Sequence, residues 1–490
     1  MEKQIFQMDK KQLIKIIFCF LFIAAFWFIP PIGEITVIGV RTIGVFIGTI
    51  LLLSIVDTLW PVFLSFILLN LSGVMNLNQI LAGSVGNWII TFVVLSFVLT
   101  FALNKSGFTT RLTVWYMSRK FVSKSPWTFV FAYWGISMIV GMFMDQVPAT
   151  AFFLSFSGKI LKELGYEPKD KFSNMLTMGS VFSVNIGGAA TPISHSLAIL
   201  GMGIYEKATG NPISMFTYLA FGIPAAIIMF ILLCIVMRFI MHPNTSKFES
   251  FDIQKAVGGL KPMDLKEKTT VAIFFGTVLL WILPGILGLI LTIPHPLLTF
   301  LNKFSITFWA LLAVVVLAVL RINDEPVVNL RETLESGFPW GVIYFISIGV
   351  LLGSAVSNEK VGLTEFITTN LTPMVEGISP LVIVIIFALV TTIMTNFSSN
   401  VTTITVMTTI ATALALSTNT VHPVAIALTT TMCGSLAYVL PSSFAPIAML
   451  HTDENSDSGT VIRYGSLMVI ISSIVVALIS YNIVAALMPM

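Results

Sequence analysis

Residues 127–158 read WTFVFAYWGISMIVGMFMDQVPATAFFLSFSG, an apolar run interrupted at Asp145-Gln146-Val147-Pro148. Arg119, Lys120 and Lys124 precede it, and Lys159, Lys162, Lys169 and Lys171 follow. From Pro148 to Gly158 there are only 11 residues. At 1.5 Å per residue that limb is about 16 Å long, against a hydrocarbon core of about 30 Å. Basic residues on both flanks place both ends on the cytoplasmic side. The run therefore reads as a re-entrant hairpin with its tip at Asp145–Pro148. Irregular backbone at membrane depth survives only where it is buried in protein or lines a cavity.

The rest of the chain supports a bilayer as its solvent. It has 490 residues, 56% hydrophobic and 10% charged, with a mean hydropathy of +0.95. A soluble domain carries about 25% charged residues. Eleven apolar runs are long enough to be read as spans: 16–31, 37–56, 60–74, 88–103, 172–200, 215–241, 269–291, 304–320, 338–356, 423–450 and 464–488. The first follows Lys10, Lys11 and Lys15 but has no small-residue cleavage site, so it reads as a retained helix. Cys19, Cys234 and Cys433 all lie in apolar runs and suggest neither a disulfide framework nor a metal site. A net charge of +3 gives no argument for nucleic acid.

Residues 380–416 look like the counterpart of the first hairpin, with the polar tip Asn396-Phe397-Ser398-Ser399-Asn400 and a threonine-rich second limb. If it enters from the opposite face, the amino terminus is cytoplasmic and the carboxyl terminus outside. Then 22 of the 26 lysines and arginines face the cytoplasm, leaving Arg41, Lys207, Lys303 and Lys360 outside. That agrees with the positive-inside rule. The expected location is the plasma or inner membrane.

Each hairpin is followed by a span broken in its middle. The first contains Asn185-Ile186-Gly187-Gly188-Ala189-Ala190-Thr191-Pro192-Ile193-Ser194-His195-Ser196; the second contains Gly434-Ser435 and Pro441-Ser442-Ser443-Phe444-Ala445-Pro446. One such break is commonly a packing kink. Four breaks in two matching, oppositely oriented pairs are the pattern of an inverted-repeat transporter with a midplane site. The expected fold class is an all-α membrane protein of about 11 transmembrane helices plus two re-entrant hairpins. Its expected parts are scaffold helices with an interfacial helix (1–126), a first transport region (127–241), a cytoplasmic linker (242–268), further scaffold helices (269–379) and a second transport region (380–490). The interfacial helix, 108–121, carries Arg111, Trp115, Tyr116, Arg119 and Lys120.

These four segments resemble the divalent anion/sodium symporter family, the INDY-like dicarboxylate carriers. The family places Ser-Asn-Thr at each hairpin tip. Here the second tip reads Ser399-Asn400-Val401-Thr402-Thr403 and keeps two of the three, while Asp145-Gln146-Val147-Pro148-Ala149-Thr150 keeps none. Asn185-Ile186-Gly187-Gly188 and Thr191 are similar to the first broken-helix loop, and Leu440-Pro441 to the second. The resemblance implies a homodimer, an elevator movement, a C4-dicarboxylate or citrate-like substrate, and sodium at loops that here contain Asp145, Gly188, Asn400 and Gly434. The departures fall on those sodium loops.

A carboxylate can be held by helix amino termini and hydroxyls without any lysine or arginine. The candidate substrate-binding residues are Gln146, Val147, Pro148 and Thr150; Asn185, Thr191, Pro192 and Ser194; Ser399, Asn400, Val401 and Thr402; and Pro441, Ser442 and Ser443. Asp145 follows an almost wholly apolar limb. It reads either as a helix cap or as a charge-compensating or coupling residue. His195 reads either as a packing residue or as a second coupling residue. The expected function is sodium-independent exchange of small di- or tricarboxylates by an elevator mechanism. Sodium- or proton-coupled symport is the alternative. The expected partners are small carboxylate anions, membrane lipid and a second copy of the chain; no cofactor is expected, and sodium is left open. An intramembrane aspartyl protease needs two acids, and only Asp145 qualifies. A channel has no need of matched broken helices.

Overall fold

Without water to pair with, the backbone of an apolar chain must satisfy its own N–H and C=O groups, and helices do so within one segment. A computed structural model describes residues 10–57, 59–194, 196–250, 262–291, 295–335, 338–370, 372–375, 377–418 and 420–487. These are almost entirely helical. Besides loops, the described residues include a two-stranded turn, Arg321–Ile322 against Glu325–Pro326, closed by Asn323 and Asp324 at φ 54° and 64°, and a single bridge between Ile32 and Ile35. Seven helices are long and apolar enough to cross a membrane. Two of the seven, Pro380–Phe397 and Asn400–Thr418, are the limbs of the second hairpin, so length alone does not count crossings.

The first hairpin consists of Pro126–Gly141 and Gln146–Leu164. Proline at the first helical position starts the first limb, as it does Pro380–Phe397 and Pro423–Gly434. Gly165, at φ 71°, ends the second. The second limb is therefore 19 residues long, not the 11 expected. Its helix continues through Lys159, Lys162 and Glu163, because charged residues stop an apolar run without stopping a helix. At about 28 Å its length no longer argues for re-entry; what the structure shows is a helical hairpin whose open ends lie together. The Phe129 and Phe248 rings are 4.8 Å apart, and Tyr166 Oη donates to the Asn244 carbonyl at 3.0 Å. Both open ends thus meet the segment after Met215–Met241. Between the limbs, Tyr133 Oη donates to the Phe153 carbonyl at 2.7 Å.

The first broken span is also longer than expected. Lys171–Ala190 is helical through Asn185-Ile186-Gly187-Gly188, the break begins at Thr191, and Ser196–Thr209 completes it. Its glycines serve contact with the hairpin rather than unwinding. A Cβ on Gly187 would lie 2.0 Å from the Met138 carbonyl oxygen, and the Cβ of any residue replacing Gly141 would lie 2.4 Å from that of Val184. Small residues allow such backbone approach between membrane helices. The second broken span is Pro423–Gly434, an unwound stretch, and Ala445–Thr452, before the final helix Ser458–Leu487.

Trp88–Lys105, Leu265–Ile290, Ile306–Val319 and Trp340–Val356 stand beside this core. The interfacial helix runs Phe108–Met117, ending earlier than 121. Arg111 ties it to the scaffold through a bidentate pair with Glu267, at 2.5 and 2.8 Å, the Glu267 side chain being 5% exposed. Arg111→Lys keeps the charge but loses the fork geometry. The expected result is a lower melting temperature with unchanged substrate affinity, read by thermal unfolding and ligand titration.

Candidate functional site

Each hairpin tip is stitched to the break that follows it. At the second tip, Asn396 is buried, and its amide oxygen accepts from the backbone N–H groups of Tyr438 and Val439 at 2.6 and 2.8 Å. Its nitrogen donates to the carbonyls of Thr392 at 2.7 Å and Leu436 at 3.2 Å. Thr395 Oγ1 lies 2.8 Å from Asn400 Oδ1 and 2.6 Å from the Gly434 carbonyl. At the first tip, Thr191 Oγ1 donates to the Met142 carbonyl at 2.6 Å, and Gln146 Nε2 to the Asn185 carbonyl at 3.4 Å. The repeats meet where Asn185 Nδ2 donates to the Ala437 carbonyl at 2.6 Å. Asn185 is thus a clamp between the two breaks.

Four helices begin at one cavity of about 610 Å³: Gln146–Leu164, Ser196–Thr209, Asn400–Thr418 and Ala445–Thr452. The first N–H groups of a helix have no intrahelical partner and carry the positive end of its dipole. Val147, Pro148, Ser399, Asn400, Val401, Pro441, Ser442 and Ser443, all expected at the site, line this cavity, and so does Asp145. The facing wall is Phe97, Thr100, Phe101, Asn104, Phe338, Pro339 and Val342, from outside the two transport regions. None of these seven was expected. Thr100 and Asn104, four residues apart in an apolar helix, were the available signal.

The other expected residues lie behind the lining. Pro192 and Ser194 border a small crevice that shares Phe97, Thr100 and Ser196 with the cavity. Gln146, Thr150, Asn185, Thr191 and Thr402 are buried and do not line the cavity. His195 lies outside the described residues. Asp145 caps its helix, with one carboxylate oxygen accepting from Val147 N at 3.0 Å. Among the described residues it is the only charged side chain on the cavity wall, and it forms no ion pair.

The two loops implied for sodium differ. In the second, Thr395 Oγ1, Asn400 Oδ1 and the Gly434 carbonyl are held together by the threonine's own hydrogen. In the first, Gln146 Oε1, Thr150 Oγ1 and Asn185 Oδ1 are buried with no hydrogen-bond partner, and behind the second tip Thr402 Oγ1 and Thr403 Oγ1 are buried and unpartnered as well. Unpartnered buried oxygens call for a cation or a water, and an all-oxygen set suits a hard cation.

Residues 41–431 match the citrate transporter family, CitMHS. The chain belongs to this family. Like its other members it is a transporter, and its apolar helices make it a multi-pass integral membrane protein. The resemblance to the divalent anion/sodium symporters is borne out. The sodium-dependent dicarboxylate transporter SdcS of Staphylococcus saprophyticus is 25% identical over 434 residues, covering 86% of this chain and 81% of that protein. SdcS of Staphylococcus aureus is 23% identical over 441 residues with the same coverage. Two solved transporters share the fold. YdaH of Alcanivorax borkumensis superposes with a TM-score of 0.57 at 12% identity, covering 96% of this chain and 98% of that one. MtrF of Neisseria gonorrhoeae, from a class of antimetabolite efflux pumps, does so at 0.59 and 16% identity, covering 96% and 95%.

Proposed function

We propose that this chain is a secondary carrier of small di- and tricarboxylates, binding them where the four helix amino termini converge. That convergence carries the reading. Helix amino termini and the hydroxyls of Ser399 and Ser442 suit a carboxylate, and no lysine or arginine is needed. The family match and the dicarboxylate relatives support the substrate class. The cavity lies between the hairpin tips and the helices beside them, which suits an elevator in which one part slides past the other. The proposal includes a homodimer, a cytoplasmic amino terminus and an external carboxyl terminus.

For coupling, the three unpartnered oxygens behind the first tip favour sodium symport, as do relatives whose names include sodium dependence. Gln146, Thr150 and Asn185 would hold the ion. Its charge would offset part of the substrate's and tie the first tip to its break. Sodium-independent exchange is the second reading, favoured by Gln146 Nε2, which fills the space beside Gly188. Proteoliposomes separate the two. Symport predicts that an inward sodium gradient drives succinate or citrate uptake into empty vesicles. Exchange predicts uptake only with internal counter-substrate, indifferent to sodium. Uptake of neither acid under either condition would refute the carboxylate reading.

A further inference from the structure

We infer that the substrate brings its own positive charge to this site: an ammonium group seated on Asp145, with its carboxylates at the other helix amino termini. Amino dicarboxylates of the aspartate and glutamate type would then be preferred over succinate and glutarate. The inference rests on the carboxylate-carrier reading and narrows its substrate class.

Asp145 carries the argument. It lines the cavity, and among the described residues no lysine, arginine or other charged side chain lines the cavity with it. One carboxylate oxygen caps the helix through Val147 N. The other has no hydrogen-bond partner among the described residues. A capping role alone is open to serine, threonine or asparagine, none of which brings a negative charge to an anion site. A wholly anionic substrate would sit against that charge in a partly desolvated cavity, where like charges repel far more than in water. An ammonium at the same place turns the repulsion into attraction.

The rest of the wall fixes the orientation. Helix amino termini disfavour a cation; Asp145 also caps one, but among the described residues it alone brings negative charge to the cavity, so it is the place for the ammonium. The carboxylates then fall to the Ser399 tip and the Ser442 loop, both of which line the cavity. The opposite wall offers the rings of Phe97, Phe101 and Phe338. Aromatic faces tolerate a nearby cation and give a carboxylate nothing.

The test is direct binding of L-aspartate, L-glutamate, succinate and glutarate to the purified full chain, with and without sodium. The wild type should bind an amino dicarboxylate at least tenfold more tightly than its counterpart lacking the amino group. Asp145→Asn should abolish that preference by weakening the amino acid and sparing or improving the plain dicarboxylate. Asp145→Glu should retain it. Equal or tighter binding of succinate and glutarate by the wild type would overturn the inference while leaving the carboxylate reading intact; the counter-charge would then come from a proton or sodium. A preference that survives Asp145→Asn would overturn it as well. If the asparagine variant does not fold, the wild-type ratio and Asp145→Glu decide. Binding of none of the four acids would overturn the inference and the dicarboxylate part of the carboxylate reading, whose tricarboxylate part the citrate uptake assay tests separately.

Discussion

Asn396→Ala abolishes substrate uptake and lowers the melting temperature more than any single change in the cavity wall. Asn396 lies outside that wall, but its side chain holds the unwound stretch of the second break by three bonds. It accepts from Tyr438 N and Val439 N and donates to the Leu436 carbonyl. Alanine leaves two buried N–H groups and one carbonyl to find other partners. Each unsatisfied group costs about 1–3 kcal/mol, and no bulk water reaches them at that depth. A combined loss of about 3 kcal/mol is already more than a hundredfold in an equilibrium. The Ser442–Ser443 loop follows directly, so the proposed carboxylate donor Ser442 is displaced with it. Asn396→Asp retains both acceptor bonds and should be milder than alanine in the melting temperature. Proteoliposome uptake and thermal unfolding of the three proteins check this. An alanine variant with normal uptake would show that the loop holds its shape unaided.

Gly187→Ala eliminates uptake, whereas Gly188→Ala is tolerated once Gln146 is shortened. The two glycines are adjacent, but a methyl group meets different neighbours at each. On Gly187 it would lie 2.0 Å from the Met138 carbonyl oxygen, which is backbone. The first limb of the hairpin would have to move away from Lys171–Ala190 along its length, against the interdigitated packing of a membrane interior. On Gly188 it would lie 1.6 Å from Gln146 Nε2, the far end of a flexible side chain. Gln146 can swing away, losing its bond to the Asn185 carbonyl. Gly188→Ala should therefore reduce uptake about tenfold through a misplaced first tip. The double variant Gly188→Ala with Gln146→Ala should recover stability, though not any coupling that depends on Gln146. Circular dichroism melts and uptake assays on the single and double variants separate the cases. Equal damage from both glycine changes would mean that the hairpin and broken span move apart as one body.

Much of the site was legible because polar residues in an apolar chain are few and costly. Asp145, Ser399, Asn400 and the Pro441–Ser443 loop stand out against their runs, and all of them line the cavity. Polarity alone does not say which way a residue faces. Asn185 and Thr191 are as conspicuous in the sequence as Ser442, yet the Asn185 amide nitrogen and the Thr191 hydroxyl face away from the cavity, donating to the Ala437 and Met142 carbonyls. Asn396 was visible as part of the second tip, but its partners lie some 40 positions away, beyond any local pattern. The aromatic wall was hidden for the opposite reason: phenylalanine in a membrane helix is ordinary.

The sequence by itself determined the solvent, the helical class, the two hairpin tips with their matching breaks, and the family. Those follow from composition, from glycine and proline placement, and from the scarcity of charge, all of which act locally. It erred on the second limb of the first hairpin, since hydropathy marks where apolar character stops and the helix ends only at Gly165. Only the tertiary structure decided that four helices begin at a single cavity, that Asn185 joins the two repeats, and that Asp145 stands alone there among the described residues. Those facts depend on which carbonyl meets which amide across 250 residues of chain. They follow from the drive to pair buried polar groups over long stretches of chain, which is a property of the assembled fold and of no segment within it.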